Sequence, residues 1–178
     1  MVSRIEYGVD ELRQGKLITT WHILRGINMI LTPNDTDKYD ILNWSMFDVM
    51  IADITDSLKE TNIDAIYGQP RGGLPIAVAL SHTLEKPLVT DIKFIKDMKK
   101  MGKSVLWVDD IVDTKKTFNE SKEDFTHFVS WVSRVNIFGL LHIRTSNKWV
   151  IFPWETFSNA EHDKEKYIKK RTQEGYIE

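Results

Sequence analysis

Apolar positions along this 178-residue chain fall into short dense runs separated by polar, turn-forming residues, and the spacing inside each run predicts its conformation. Phe47, Met50, Ile51, Ile54 and Leu58 recur at helical spacing and predict a helix from Ser45 to about Lys59, with Ser45 and Asp48 as its capping box. Residues 63–67 read as a short strand, 68–73 as a turn, and 74–84 as a helix with Pro75 near its first position. A strand over 88–91 leads into a lysine-rich connection, 92–103, with room for a small hairpin or a single turn. Val105, Leu106, Trp107 and Val108 form the run of a buried strand, which stops at Asp109 and Asp110. Beyond it, Phe118, Phe125, Phe128, Val129 and Val132 predict a helix reaching roughly Ser133, and 135–143 and 149–152 read as strands. Residues 1–43 carry little regular period, with strands expected near 17–24 and 29–31 and a turn at Pro33-Asn34-Asp35. From Asn159 onward the chain is mostly charged, as in a surface helix or frayed tail.

Strands alternating with helices predict an α/β fold: a central, mainly parallel twisted sheet flanked by helices. In such a sheet the turns after residues 67, 91, 109 and 143 share one edge, where ligands gather. The length suits a single domain over 1–178, with its core at about 41–157 and a charged tail at about 159–178. A net charge of −2 gives no general reason to bind nucleic acid or an anionic membrane. The absence of cysteine removes disulfides and thiolate metal sites. No apolar run reaches membrane-span length and the first residues lack a signal-peptide apolar stretch, so a cytoplasmic protein is expected. The five histidines show no paired metal-ligand spacing.

Two loops carry the chemistry. Asp109-Asp110-Ile111-Val112-Asp113-Thr114-Lys115-Lys116-Thr117 places paired acids, suited to sugar hydroxyls and a hard cation, directly before a hydroxyl-rich turn suited to phosphate. Gly68-Gln69-Pro70-Arg71-Gly72-Gly73 combines a tight turn with a permanent cation. The glycine loop alone reads as an ordinary strand-to-helix turn; together with the acid and hydroxyl segment on one sheet edge it suits a diphosphorylated sugar.

The first segment resembles the ribose-phosphate motif of type I phosphoribosyltransferases, except that Lys115 stands where the family usually has glycine. The second, with the following LPIAVAL, resembles the pyrophosphate loop of the purine enzymes, with Pro70 as a less usual neighbour. Trp149-Val150-Ile151-Phe152-Pro153-Trp154-Glu155 is similar to a segment of the xanthine/guanine/hypoxanthine branch. The resemblance spans about residues 41–157 and implies that fold, with a small irregular hood from the N-terminal and C-terminal segments.

It also implies transfer of ribose 5-phosphate from phosphoribosyl pyrophosphate to a 6-oxopurine, with Mg²⁺ as cofactor and a homodimer or homotetramer. Arg71, Gly72 and Gly73 would then receive pyrophosphate, and Asp109 and Asp110 the ribose hydroxyls and hydrated metal. Thr114, Lys115, Lys116 and Thr117 would take the 5-phosphate, and Asp113 would line the phosphoribosyl pyrophosphate site and meet the purine N7 as general acid and base. Trp149 and the Val150 backbone would hold the base. Arg144, which follows a predicted strand, is matched to the lysine that the family aims at the purine oxygen; Asn147 and Lys148 are competitors for that place. Phe152 and Trp154 read better as core, and Glu155 as either a site residue or a surface cap. The family closes its site with a flexible loop, and the corresponding connection here, 92–103, is short. A catalytically weak relative that senses a nucleotide or phosphoribosyl pyrophosphate is therefore the alternative, followed by a purely structural protein.

Overall fold

The computed structural model describes residues 38–173. The strands expected near 17–24 and 29–31, and the N-terminal part of the hood, lie outside the described residues. Four parallel strands form the central sheet in the order β2-β3-β4-β5: Ala65–Gly68, Val105–Val112, His127–Ser133 and Leu140–Thr145. A separate parallel pair, β1 (Tyr39–Ile41) and β6 (Trp149–Ile151), stands beside it.

Both faces of the central sheet are covered, which is why its strands read as continuous apolar runs. Ile66, Leu106 and Val108 face helices α1 (Trp44–Leu58) and α2 (Gly73–Thr83), sharing a core with Phe47, Ile54, Ile76 and Leu80. Ala65, Tyr67, Val105 and Trp107 point the other way, toward Ile95 and Met98 of α3 (Ile92–Lys100) and Phe118 of α4 (Lys115–Ser121). The two-residue alternation of a strand thus divides adjacent residues between two cores.

Several boundaries differ from the sequence expectation, each for a local reason. Helix α1 is capped by Asn43, whose side chain accepts the Met46 N–H at 2.9 Å, so the Ser45–Asp48 capping box does not form. Its five predicted apolar positions are all buried. Residues 88–91 contribute only a bridge from Leu88 to Ile66. The connection 92–103 is neither hairpin nor single turn: Asp91 caps α3 by accepting the Lys93 N–H, and Ile95 and Met98 sink into the core while its lysines face outward. The helix expected to run to Ser133 stops at Ser121 as α4, and 127–133 is strand β4. In β4, Val129 through Ser133 are all buried, so the alternation that marks a half-exposed strand is lost and a helical period is mimicked. The strand expected at 135–143 begins later, at Leu140, after a return that includes Gly139 at φ +85°. The charged C-terminal segment is a helix, α5 (Phe157–Gln173), resting on Tyr39 and Ile151 through Ala160 and Phe157.

Candidate functional site

Because all four strands run parallel, the ends of β2, β3 and β4 deliver their following loops to one side of the sheet. Strand β3 continues through Asp109 and Asp110 to Val112, so the paired acids are ladder residues rather than loop residues. Their backbone is consequently fixed, with Asp109 paired to Ser130 of β4.

Asp109 is 8% exposed, and burial, followed by the neighbouring Asp110 charge, pushes its carboxyl up to about 9. Asp110 is also raised by burial, although its Oδ1 accepts the Ile111 N–H at 2.8 Å. The Asp110 N–H donates to Asp109 Oδ1 at 3.0 Å. Two adjacent carboxyls held away from water cannot both ionise cheaply.

The Gly68–Gly73 turn packs directly onto these acids. Its Pro70–Arg71 bond is cis. A Cβ on Gly72 would overlap the Asp110 carboxyl, and one on Gly73 would overlap the Val108 carbonyl. Glycine is required here for close approach. Gln69 locks the turn to β3, its N–H donating to the Val108 carbonyl at 2.8 Å and its Oε1 accepting Trp107 Nε1 at 3.3 Å. Arg71 is exposed, and its charge reaches Glu155, whose carboxyl is raised by burial and held by accepting the Phe152 N–H at 2.9 Å. Arg71, Gly72, Gly73, Asp109 and Asp110 are therefore brought together.

Thr114 ends the β3 loop by capping α4, its Oγ1 accepting the Lys116 N–H at 3.3 Å. Lys115 is the first residue of α4 and needs no left-handed backbone, which accounts for a lysine at a position where glycine was expected. Lys115 and Lys116 are exposed and Thr117 is half-buried.

Asp113 lies at the mouth of a cavity of about 190 Å³ that it shares with Asp110, Arg134, Trp149, Glu155 and Tyr167. Both of its oxygens have donors: Arg134 Nη1 at 2.7 Å on one and the Tyr167 hydroxyl on the other. Arg134 also donates to the Lys148 carbonyl at 2.7 Å and the Ser146 carbonyl at 3.3 Å, and its guanidinium lies 6.0 Å from the Trp149 ring centre. Val150 lines the same cavity, and Phe152 and Trp154 stack on each other within the aromatic core around Trp131.

Arg144 does not join this cavity. It pairs with Asp40 of β1 at 2.7 Å and faces a separate open depression of about 690 Å³ beside α1. The cation that enters the cavity is Arg134, at the end of β4. Residues 127–133, expected as a helix, are the strand whose end carries Arg134 into the cavity, while Arg144 stands near the end of the neighbouring strand, outside it. Tyr167 was missed as well, although it is a lone aromatic in a polar segment seven residues after Ala160, on the same helix face.

No protein-family model matches the chain, and no curated protein matches it. Solved structures do. A purine phosphoribosyltransferase from Pyrococcus horikoshii is 27% identical over 67% of this chain and 95% of that one, with a TM-score of 0.58. A hypothetical protein from Neisseria gonorrhoeae with bound ppGpp is 17% identical, covering 71% of this chain and 94% of that one, with a TM-score of 0.55. The xanthine-guanine-hypoxanthine phosphoribosyltransferase of Helicobacter pylori is 17% identical over 70% and 99%, with a TM-score of 0.51. The chain has the type I phosphoribosyltransferase-like fold and resembles the purine branch.

Proposed function

We propose that this protein is a purine phosphoribosyltransferase that joins a 6-oxopurine to the ribose 5-phosphate of phosphoribosyl pyrophosphate and releases pyrophosphate. The observation that supports this reading is the packing of Gly72 against Asp110, so close that a Cβ would overlap the carboxyl, which sets a turn suited to anions beside acids suited to sugar hydroxyls and a hard cation. Arg71 and the Gly72 amide would take the pyrophosphate, with charge stabilisation concentrated where the leaving group forms. Asp109 and Asp110 would hold the ribose hydroxyls. Thr114, Lys115, Lys116 and Thr117 supply hydroxyl and ammonium donors for the 5-phosphate. Trp149 offers a stacking face, and Arg134, which can only donate hydrogen bonds, suits an oxo substituent on the base.

The acid pair fits Mg²⁺. Among the described residues no group of three or more His, Cys, Asp or Glu side chains could cage a metal. Mg²⁺ in such sites binds through one or two carboxylates plus substrate oxygens, and a cation favours the ionised form of a buried carboxyl. Asp109 and Asp110 would hold the ion, whose chemistry would be to offset charge on the departing pyrophosphate.

Two observations favour the second reading, a sensor of the same ligands without turnover. The connection where the family places its closing loop is here the core-packed helix α3, and both oxygens of Asp113 already accept a hydrogen bond within the chain. Titration with phosphoribosyl pyrophosphate and Mg²⁺, followed by guanine, xanthine, hypoxanthine and adenine with pyrophosphate release as the readout, separates the two. Turnover with an oxopurine supports the enzyme, and binding without turnover across all four bases supports the sensor. No binding of the donor would reject both. Among the described residues no helix is long and apolar enough to cross a membrane.

A further inference from the structure

We propose that helix α5 is a built-in lid over the base subsite, latched by Tyr167, so that a purine must displace Tyr167 to bind. This rests on reading the Trp149 cavity as that subsite. The Tyr167 ring centre lies 5.5 Å from that of Trp149 at an interplanar angle of 57°. A base sandwiched between two rings needs two stacking layers, about 7–8 Å in all. The rings are therefore too close to admit one, and Tyr167 covers the Trp149 surface that faces it. The Tyr167 hydroxyl donates to Asp113 Oδ2, the carboxyl proposed to meet the purine ring. One side chain thus takes both the stacking face and the proton acceptor.

The helix is built for opening at its distal end. Its first turns are anchored: Phe157 packs edge-on to Tyr39 at 5.1 Å, Ala160 is 1% exposed, and Lys164 Nζ sits 4.3 Å from the Tyr39 ring centre. Ala160 is the only residue of α5 that is fully buried. From Lys164 onward the sequence is largely charged, and elements with few buried apolar contacts open at low cost. Tyr167 follows Ala160 by two helical turns, about 10 Å along the axis, so α5 can release it while staying attached at Phe157 and Ala160. Once Tyr167 leaves, Asp113 keeps Arg134 on one oxygen and offers the other to the base. The apparent affinity for a purine then equals the intrinsic affinity reduced by the fraction of molecules in which the latch is open.

Calorimetric titration of the full chain with guanine, and separately with phosphoribosyl pyrophosphate plus Mg²⁺, tests this in wild type, Tyr167→Phe and Tyr167→Ala. Tyr167→Ala should tighten guanine binding about tenfold and Tyr167→Phe about threefold, the latter keeping the ring and losing only the hydroxyl, because each raises the open fraction. Donor affinity should change less than about twofold, since Tyr167 touches none of the phosphate groups' residues. Hydrogen exchange at residues 165–173 should accelerate when guanine saturates the wild type. Weaker or unchanged guanine binding in Tyr167→Ala would make Tyr167 a wall of the site and overturn the lid, as would failure of every variant to bind guanine. Loss of donor binding in all three, with guanine still tightened by Tyr167→Ala, would instead sink the phosphoribosyl reading and leave the lid standing.

Discussion

At the amino ends of β2 and β3, Asp64 accepts the Ser104 N–H at 2.8 Å and lies 3.1 Å from Lys103 Nζ. These two contacts, the backbone donor first, hold its carboxyl below the usual value. At the carboxyl ends of the same two strands, Asp109 is buried and its neighbour Asp110, against Gly72, is half-buried, and both are pushed up. One end of the strand pair uses an acid to tie its segments together; the other holds acids whose ionisation the fold opposes. An acid satisfied by its own chain is spent on stability. Acids whose ionisation burial opposes keep charge interactions in reserve, which a bound cation could engage.

The largest expected effect comes from closing the unsatisfied end. Gly72→Val would drive a branched side chain into the Asp110 carboxyl, so donor binding should fall by about a hundredfold or more, the equivalent of ~3 kcal/mol. Calorimetry with phosphoribosyl pyrophosphate and Mg²⁺ measures it. Wild-type affinity in this variant would show that the two loops do not act as one cleft.

The pH profile of stability comes next, and its sign follows from the direction of the shift. With Asp109 raised to about 9, the folded state keeps a proton that the unfolded chain has released above about 3.8. Its contribution is therefore full below that value and is lost as pH rises through 9. Thermal melts between pH 5 and 9 should show stability falling with pH, and Asp109→Asn, which cannot ionise, should flatten the slope. Donor binding with Mg²⁺ should release protons in the same window, visible as a dependence of binding heat on buffer ionisation enthalpy. An unchanged slope in Asp109→Asn would place the acid pair among ordinary solvated carboxylates.

Third in size is Asp110→Asn. It removes a charge that the fold disfavours, so stability should hold or rise, while donor binding weakens by about tenfold or more through loss of one charge-assisted contact. Lower stability with unaltered binding would reverse the roles of the two strand ends.

What could be read in advance follows the same division. The side of the site proposed for phosphate is built from consecutive residues: Gly72 and Gly73 in one turn, Asp109 through Thr117 in another. Local sequence order carries that geometry, so both loops were legible, down to the helix that opens after each. The cavity proposed for the base is assembled from β4, β6 and α5, whose members meet only in three dimensions. Arg134 was concealed because β4, buried on both faces, shows no alternation, and the expected Arg144 lies near the end of a strand that does not reach the cavity. Tyr167 belongs to a helix whose sequence is polar, with no apolar stripe to say which face turns inward. The α3 segment misled for the opposite reason: comparison with a lid motif drew attention to its length and lysines, while Ile95 and Met98, at helical spacing, recorded its role in the core.

The smallest effect belongs to Asp64. Its lowered value means that its contribution is present above about 3.8 and is lost as pH falls through the folded-state value, the mirror image of Asp109. The Lys103 partner is half exposed, so salt screens the ion pair and its share is slight. Asp64→Asn keeps an oxygen for the Ser104 N–H and gives up only the charge; Asp64→Ala gives up both. Acid melts should therefore rank wild type above Asp64→Asn above Asp64→Ala, with 0.5 M salt narrowing mainly the first gap, because surface pairs are the ones that salt weakens at roughly this strength. Neither substitution should alter donor binding, since Asp64 stands at the opposite strand ends from the cleft. A loss of donor affinity in Asp64→Asn at neutral pH would mean that the amino-end staple also sets the register in which β2 presents its turn to Asp110, and the two ends would then have to be treated as one coupled device.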